Sequence, residues 1–494
     1  MNDDLRDLIV VGAGISGLTA AWSLKKAGMD VLLLEASGEV GGCARTERRD
    51  GFLLEKGPFN VMVRDPAFER LLEDVSADVN VIKADRAARS RFIYHRGRLL
   101  AVPTNPAALV ATRLLSLRGR CRLLRGLITS PPAGDGEDTI EQAATRRFGH
   151  EVSDRIVSAA ISGIFAGDVR RLSLKACFPG VGRIDSTTRS LFAYGLKSAI
   201  SVVRTKKAAH RRKWRGLISF DGGVGALTTA LGRRLAPNLV CNCGVEQIRH
   251  RTGVYELTCR MSDGRACTFR CRRLVVGTPV TEAAQLLRGM LPKAADILTS
   301  IESASLVVLS LGYRRADIGH PLTGYGFLVP QNEQDFPLLG VLWADSIFPQ
   351  HAPPDHRLIR VFIGGARDPG AVNLSDAELL ATATNALRDL LRLSGEPVLA
   401  DVCRYRAAIP QYHLGHVQKI QRLYDVIGQQ SGLPAGQAGL YLIGNFQAGV
   451  SLNDCVRLAA ETADRLIAGS RALPEPRRSA RAPAVTPGGA IRPT

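Results

Sequence analysis

An apolar run, Leu8-Ile9-Val10-Val11, leads directly into three glycines, Gly12, Gly14 and Gly17, at G-x-G-x-x-G spacing. A helical pattern follows from Ile15 to Ala27, with Gly28 where a helix C-cap would stand. A second apolar run, Val31 to Leu34, ends at Glu35. This order predicts strand, tight turn, helix, strand and acid, the βαβ unit that binds a dinucleotide. Gly12 permits the turn, Gly14 lets backbone approach a pyrophosphate, and Gly17 lets helix and strand pack closely. The helix start offers free N–H groups and a partial positive charge to phosphate. Glu35, 18 residues beyond Gly17, can accept hydrogen bonds from ribose hydroxyls. The residues expected to touch the nucleotide here are Gly12, Ala13, Gly14, Ile15, Ser16, Gly17, Glu35 and Ala36.

Two further segments narrow the nucleotide. Gly41-Gly42-Cys43-Ala44-Arg45-Thr46 comes just after Glu35, and Gly51-Phe52-Leu53-Leu54-Glu55-Lys56-Gly57-Pro58 follows. With the first unit they resemble the extended signature of the flavin amine oxidase superfamily. The resemblance implies FAD, with Gly42, Cys43, Arg45, Gly57, Pro58, Phe59 and Asn60 beside it. Small residues there let backbone lie against a long, flat cofactor. Cys43 reads as a small residue next to the flavin rather than a redox thiol. No second nucleotide fingerprint is expected: Gly223-Val224-Gly225 has Thr228 at the third position and reads as a turn into a packing helix. Electrons from FAD therefore leave to oxygen or another diffusible acceptor.

The chain has 494 residues and 45% apolar content, which suits two or three lobes with sizeable cores. Ten scattered cysteines suit a reducing cytosol. Cys241-x-Cys243 and Cys267-x-x-x-Cys271 lack the paired spacing of a zinc ribbon, so no metal centre is expected. The acidic N-terminus has no apolar core of a signal peptide, and no uncharged apolar run reaches membrane-spanning length. The expected location is the cytoplasm, peripherally at a membrane. Net charge is +19, with arginine clusters at Arg113 to Arg125 and Arg204 to Arg215. Leucine, tryptophan and arginine mix there as on interfacial helices, which favours an anionic membrane surface as partner. No nucleic-acid-binding motif is present, and no nucleic-acid partner is expected.

Along the chain, residues 1–88 read as the first part of the FAD-binding lobe, and 89–215 as a helical, membrane-associating and substrate-contacting insertion. Residues 216–290 return to the FAD lobe, 291–435 form a substrate domain, 436–470 complete the FAD lobe, and 471–494 form a Pro/Ala/Arg-rich tail expected to be disordered. Strands are expected at 239–248, 254–259, 266–276, 306–311, 358–363 and 439–442, and helices at 376–393 and 450–467. The fold class is α/β: a Rossmann-like domain of discontinuous segments, a mixed-sheet substrate domain and a helical insertion.

Later segments are similar to one family in particular, the FAD-dependent protoporphyrinogen and coproporphyrinogen III oxidases. They are Ser90-Arg91-Phe92-Ile93-Tyr94, Ser162-Gly163-Ile164-Phe165-Ala166-Gly167-Asp168, Gly324-Tyr325-Gly326-Phe327-Leu328-Val329-Pro330, Ile409-Pro410-Gln411-Tyr412, and Gly444-Asn445 with Gly449-Val450 and Asn453-Asp454-Cys455. The resemblance implies that Arg91 pairs with a substrate propionate, that Gly163 lies against a porphyrinogen, and that Tyr325, Gly326, Leu328 and Phe362 line its pocket. Tyr325 departs from the phenylalanine expected there, so its hydroxyl needs a partner. On the cofactor side the resemblance implies Val245 at the adenine and Asn445, Val450, Ser451 and Leu452 near the flavin ring. It also allows a homodimer. The implied reaction is a six-electron oxidation of protoporphyrinogen IX in three FAD cycles, with oxygen as acceptor and hydrogen peroxide as product. Coproporphyrinogen III is the alternative substrate. A carotenoid desaturase, an amine oxidase and an FAD-stabilised membrane adaptor are the other readings.

Overall fold

The structure, a computed structural model, describes residues 5–103, 108, 112–128, 136–182, 214, 216–431 and 439–471. Most of the second arginine cluster, the Ser130–Asp135 break and the tail from residue 472 lie outside the described residues. The strands are β1 (Leu5–Val11), β2 (Val31–Leu34), β3 (Thr46–Arg49), β4 (Phe52–Glu55), β5 (Val61–Met62), β6 (Val81–Lys83), β7 (Phe92–His95) and β8 (Arg98–Ala101). There follow β9 (Leu217–Phe220), β10 (Leu239–Val240), β11 (Cys243–Arg251), β12 (Val254–Met261) and β13 (Ala266–Val276). The last six are β14 (Ser303–Arg314), β15 (Gly326–Leu328), β16 (Leu338–Trp343), β17 (His356–Gly364), β18 (Leu399–Pro410) and β19 (Leu440–Leu442).

The first sheet has the order β10-β2-β1-β13-β12-β11, with β19 also paired to β13. Its β10-β2-β1-β13-β19 part is parallel and its β13-β12-β11 wing antiparallel. The continuous apolar runs of β1 and β2 follow from burial on both faces. On one face, helices Ile15–Lys26, Pro66–Val75, Gly225–Leu235 and Leu452–Arg471 bury Leu8, Val10, Val31 and Leu33. On the other, helices Val280–Arg288, Pro292–Thr299 and His416–Ser431 cover Ile9, Val11, Leu32 and Leu34. Two of these covering helices fall within the 291–435 expected for the substrate domain. Their apolar stripes, Leu298 and then Leu423 with Ile427, match the nucleotide sheet instead.

The second sheet has the order β18-β14-β17-β16-β15-β7-β8. The alternation along β17 divides its faces. Ile359, Val361 and Ile363 bury under helix Asp376–Leu391, while Arg360 points the opposite way, against Phe59 and Phe362. That helix starts with a capping box, Ser375 with Glu378.

Two element expectations need correction. The insertion at 89–215 does not begin as helix: β7 and β8 form a hairpin, and β7 pairs in parallel with β15. Arg96 and Gly97, both with positive φ, make its two-residue turn. The stretch 239–248 is two strands, broken at Asn242 with φ +55°. Among the described residues, the helical part of the insertion comprises Leu117–Ile128, Ile140–Phe148, Ser158–Phe165 and shorter turns.

Candidate active site

The nucleotide turn is assembled as its glycines require. Gly12 has φ +95°, and a Cβ on Gly17 would lie 1.8 Å from the Gly12 carbonyl oxygen. Strand and helix therefore meet at backbone contact. A Cβ on Gly14, by contrast, would meet nothing within 4 Å, so this side of the turn is accessible to a phosphate. Gly14 caps the Ile15–Lys26 helix without a side-chain bond, which leaves its first N–H groups available. Ile15 and Ser16 are buried at that helix start.

The Glu35 carboxylate is held from two sides. It accepts from the Ala13 N–H (2.6 Å) and from the Ser37 N–H and hydroxyl (2.9 and 2.7 Å). The Cys243 N–H donates to the Glu35 carbonyl (2.8 Å), a Cβ on Gly244 would lie 3.8 Å from Ala36 Cβ, and half-buried Val245 packs against the apolar cluster that holds Ile9 and Leu34. The loop 41–46 folds back on the turn: the Gly41 N–H donates to the Ala13 carbonyl (2.8 Å), and a Cβ on Gly42 would sit 3.4 Å from Gly14 Cα. A Cβ on Gly57 would meet the Cys43 carbonyl oxygen at 2.6 Å, which pins Gly57-Pro58-Phe59-Asn60 against Cys43. Arg45 Nε is buried with no hydrogen-bond partner, a spare cationic donor next to this cradle. An open glycine turn, uncapped helix N–H groups and an unused guanidinium donor fit a dinucleotide. Asn445 and Val450 lie in the turn after β19, and the hydroxyl of buried Tyr412 donates to the Asn445 carbonyl. Ser451 caps the helix that starts at Leu452, bonding Asp454.

Of the expected substrate residues, Arg91, Tyr325, Leu328 and Phe362 stand in or beside strands of the second sheet, and Gly163 on the helix Ser158–Phe165. The Arg91 guanidinium lies 4.9 Å from the Tyr325 ring centroid. The Tyr325 hydroxyl accepts from Asn60 Nδ2 (2.8 Å), which supplies the partner the sequence demanded. Gly163 faces Leu328: a Cβ there would sit 2.7 Å from Leu328 Cδ2, so its nearest protein neighbour is this side chain. Phe362 is half-buried on the same sheet face as Arg360. Gly326 is buried, with φ +125°, and a Cβ would fall 2.0 Å from the Val341 carbonyl oxygen, so close pairing with β16 by itself demands a glycine there.

Arg360 and Glu55 escaped the sequence reading. Arg360 is 0% exposed and donates from one nitrogen to the carbonyls of Glu55 (2.8 Å) and Gly57 (3.0 Å). Its Nε and other terminal nitrogen have no partner, and its guanidinium lies 5.2 Å from the Phe59 ring centroid. The available signal was a lone arginine inside the apolar run Leu358 to Ile363. Glu55 accepts from the Thr46 hydroxyl (2.6 Å) and the Val224 N–H (2.7 Å), so it anchors the helix that follows Gly223. Burial pushes its carboxyl up to about 7, against the lowering pull of Thr46, Val224 and Arg360.

A glycine-turned nucleotide cradle with a second sheet folded over it defines an FAD-dependent oxidoreductase. The chain belongs to the flavin-containing amine oxidoreductases, whose family model matches residues 15–467. Its relatives include coproporphyrinogen III oxidase of Bacillus subtilis, 27% identical over 470 residues that cover 92% of this chain and 97% of the relative. Chloroplastic protoporphyrinogen oxidase 1 of Arabidopsis thaliana is 30% identical over 478 residues, covering 92% and 87%. Among solved structures, one from Exiguobacterium sp. 255-15, provisionally named a protoporphyrinogen oxidase, superposes with a TM-score of 0.77 at 23% identity and covers 95% and 100% of the two chains. A reduced UDP-galactopyranose mutase shares the fold at a TM-score of 0.68 and 16% identity, with 94% and 96% covered.

Proposed function

We propose that this chain oxidises protoporphyrinogen IX to protoporphyrin IX, with molecular oxygen as the final acceptor. Bound FAD supplies a two-electron hydride acceptor, so three cycles remove six electrons and yield three molecules of hydrogen peroxide. The observation that carries the reading is the Arg91–Tyr325–Asn60 chain. It joins a carboxylate-binding cation to the FAD-binding loop through one aromatic residue.

Arg91 receives a propionate, its planar fork matching the carboxylate. Tyr325, Leu328 and Phe362 supply apolar faces for pyrrole rings, and the lack of a side chain on Gly163 leaves room beside Leu328. The pyrrole N–H protons can leave to water, so no strong base is required of the protein. Coproporphyrinogen III is the second reading, favoured by relatives of that name from Bacillus subtilis and Propionibacterium freudenreichii, at 27% and 29% identity.

The test is aerobic turnover of both porphyrinogens, followed by porphyrin fluorescence and peroxide. Faster kcat/KM on protoporphyrinogen IX supports the first reading, and faster turnover of coproporphyrinogen III transfers it to the second. Arg91→Ala should lower kcat/KM by about tenfold or more, the worth of one charged hydrogen-bonded contact. An unchanged kcat/KM would remove the propionate role.

The proposal extends to a membrane surface. No helix among the described residues is long and apolar enough to cross a bilayer. Helix Leu117–Ile128 instead exposes Leu117 (75%), Leu124 (40%) and Ile128 (61%) among Arg118, Arg120, Arg122 and Arg125. The protein should float with phosphatidylserine vesicles, and Leu117→Asp with Ile128→Asp should leave it at the bottom of the gradient. Flotation equal to wild type would exclude this helix as the contact.

A further inference from the structure

Three cysteines far apart in the chain converge on one face of the antiparallel wing. Cys243 opens β11, Cys259 lies in β12 and Cys267 in β13. Cys259 and Cys267 stand directly opposite each other, while Cys243 pairs with Met261, two residues from Cys259 on the same face. All three sulfurs lie within 4.8 Å of one another. Cys243 and Cys259 are buried, Cys267 is half-buried, and none is in a disulfide.

Three sulfurs around one ion at a bond length of about 2.3 Å, in a plane, stand about 4 Å apart. The cluster needs only a small contraction to reach that arrangement. Met261, opposite Cys243 in the ladder, adds a thioether on the same face. No histidine or carboxylate belongs to the group, so its donors are soft throughout. Such a set selects thiophilic ions over Mg(II), Ca(II) or Mn(II), and the lack of a fourth hard ligand suits Cu(I) better than tetrahedral Zn(II).

We propose that Cys243, Cys259 and Cys267 form a three-sulfur site for one soft d10 cation, Cu(I) ahead of Zn(II). The site fastens the three wing strands just behind the nucleotide acid, because the Cys243 N–H is bonded to the Glu35 carbonyl. It is independent of the porphyrinogen reading and uses no residue of the substrate pocket.

The experiment titrates the reduced, full-length FAD-loaded protein anaerobically with Cu(I) in competition with bicinchoninate, and separately with Zn(II) in competition with 4-(2-pyridylazo)resorcinol. The expected result is one Cu(I) per chain, with thiolate-to-metal absorption in the ultraviolet and at least tenfold weaker Zn(II) retention. The Cys243→Ser, Cys259→Ser, Cys267→Ser protein should lose the ion, and Cys121→Ser, which alters an exposed cysteine outside the cluster, should keep it. Should the triple variant fail to fold, wild-type protein with Cu(I) added should show these three thiols protected from maleimide labelling, mapped by mass spectrometry. No stoichiometric ion, retention in the triple variant, or protection of other cysteines overturns the proposal, and tighter Zn(II) than Cu(I) overturns the choice of ion.

Discussion

Glu55 is 1% exposed, and the two donors that hold it do not offset the loss of water. Its folded carboxyl titrates near 7, above the ordinary 4.5, so the native state binds the proton more tightly than the unfolded chain. Stability from this group is greatest below the unfolded value and falls as pH rises from about 4.5 to about 7. The charged form costs about 3 kcal/mol above that window. Glu55→Gln removes the titration while keeping an acceptor for Val224. Its melting temperature minus that of wild type should rise between pH 5 and pH 8, and a difference flat with pH would refute the assignment. His351 and His416 act in the opposite sense, since burial lowers both to about 4 and they lose stability as pH falls below 6.5. They are common to both proteins and cancel in the comparison. Glu55 was visible only as part of a cofactor-binding segment. Its role depends on Val224, which is 169 residues away in sequence.

The nucleotide turn separates two kinds of glycine. A Cβ on Gly17 would strike the Gly12 carbonyl oxygen, which is backbone and cannot step aside. Gly17→Ala should destabilise by about 3 kcal/mol, at the upper end for overpacking, and should purify without yellow colour. Gly14→Ala meets no protein atom, so it should fold with near-normal stability yet bind FAD at least tenfold more weakly, as measured by flavin fluorescence quenching in the apoprotein. Equal FAD affinity in Gly14→Ala and wild type would move the pyrophosphate away from this turn. This element was legible because strand, turn, helix and acid are contiguous, and each glycine has a local reason. The β7–β8 hairpin was not: its turn is Arg96-Gly97 in an arginine-rich stretch, and its partner β15 lies more than two hundred residues on. Arg91 was still picked out, from the motif rather than from the strand that places it beside Tyr325.

The β3–β4 hairpin, a two-stranded sheet of its own, is fastened to the second sheet by charge. Lys56 lies between Glu47 (2.7 Å) and Asp401 (2.9 Å), and Arg49 contacts Glu47 (2.6 Å) and Asp401 (3.0 Å). Glu47, Arg49 and Lys56 come from the β3–β4 hairpin and its exit, and Asp401 comes from β18 of the second sheet. Asp401→Asn leaves two cations facing one carboxylate in a network whose Asp401 and Lys56 are mostly buried but whose Glu47 and Arg49 are about 40% exposed. It should cost about 2 kcal/mol in urea unfolding, less than breaking a fully buried pair. A loss below about 0.5 kcal/mol would show the network to be surface-like. Lobes of this kind are readable from a chain as apolar runs and turns, whereas the joints between them are not. The Asn60–Tyr325 bond, the buried Arg360 and the gathering of three cysteines each depend on register between strands that no local pattern records.

β13 carries β1 on one edge and β19 on the other, and the Leu452–Arg471 helix lies across Ile15–Lys26. A ribosome therefore lays down the phosphate turn more than four hundred residues before the strand and helix that seal it. Until those last segments emerge, Leu274–Val276 at the end of β13 have no partner on the edge that β12 covers only as far as Cys271, and the apolar flank of the first helix faces water. Flavin capture therefore waits for those segments, and a nascent chain must be kept from aggregating through that open edge while the residues between β13 and β19 are made.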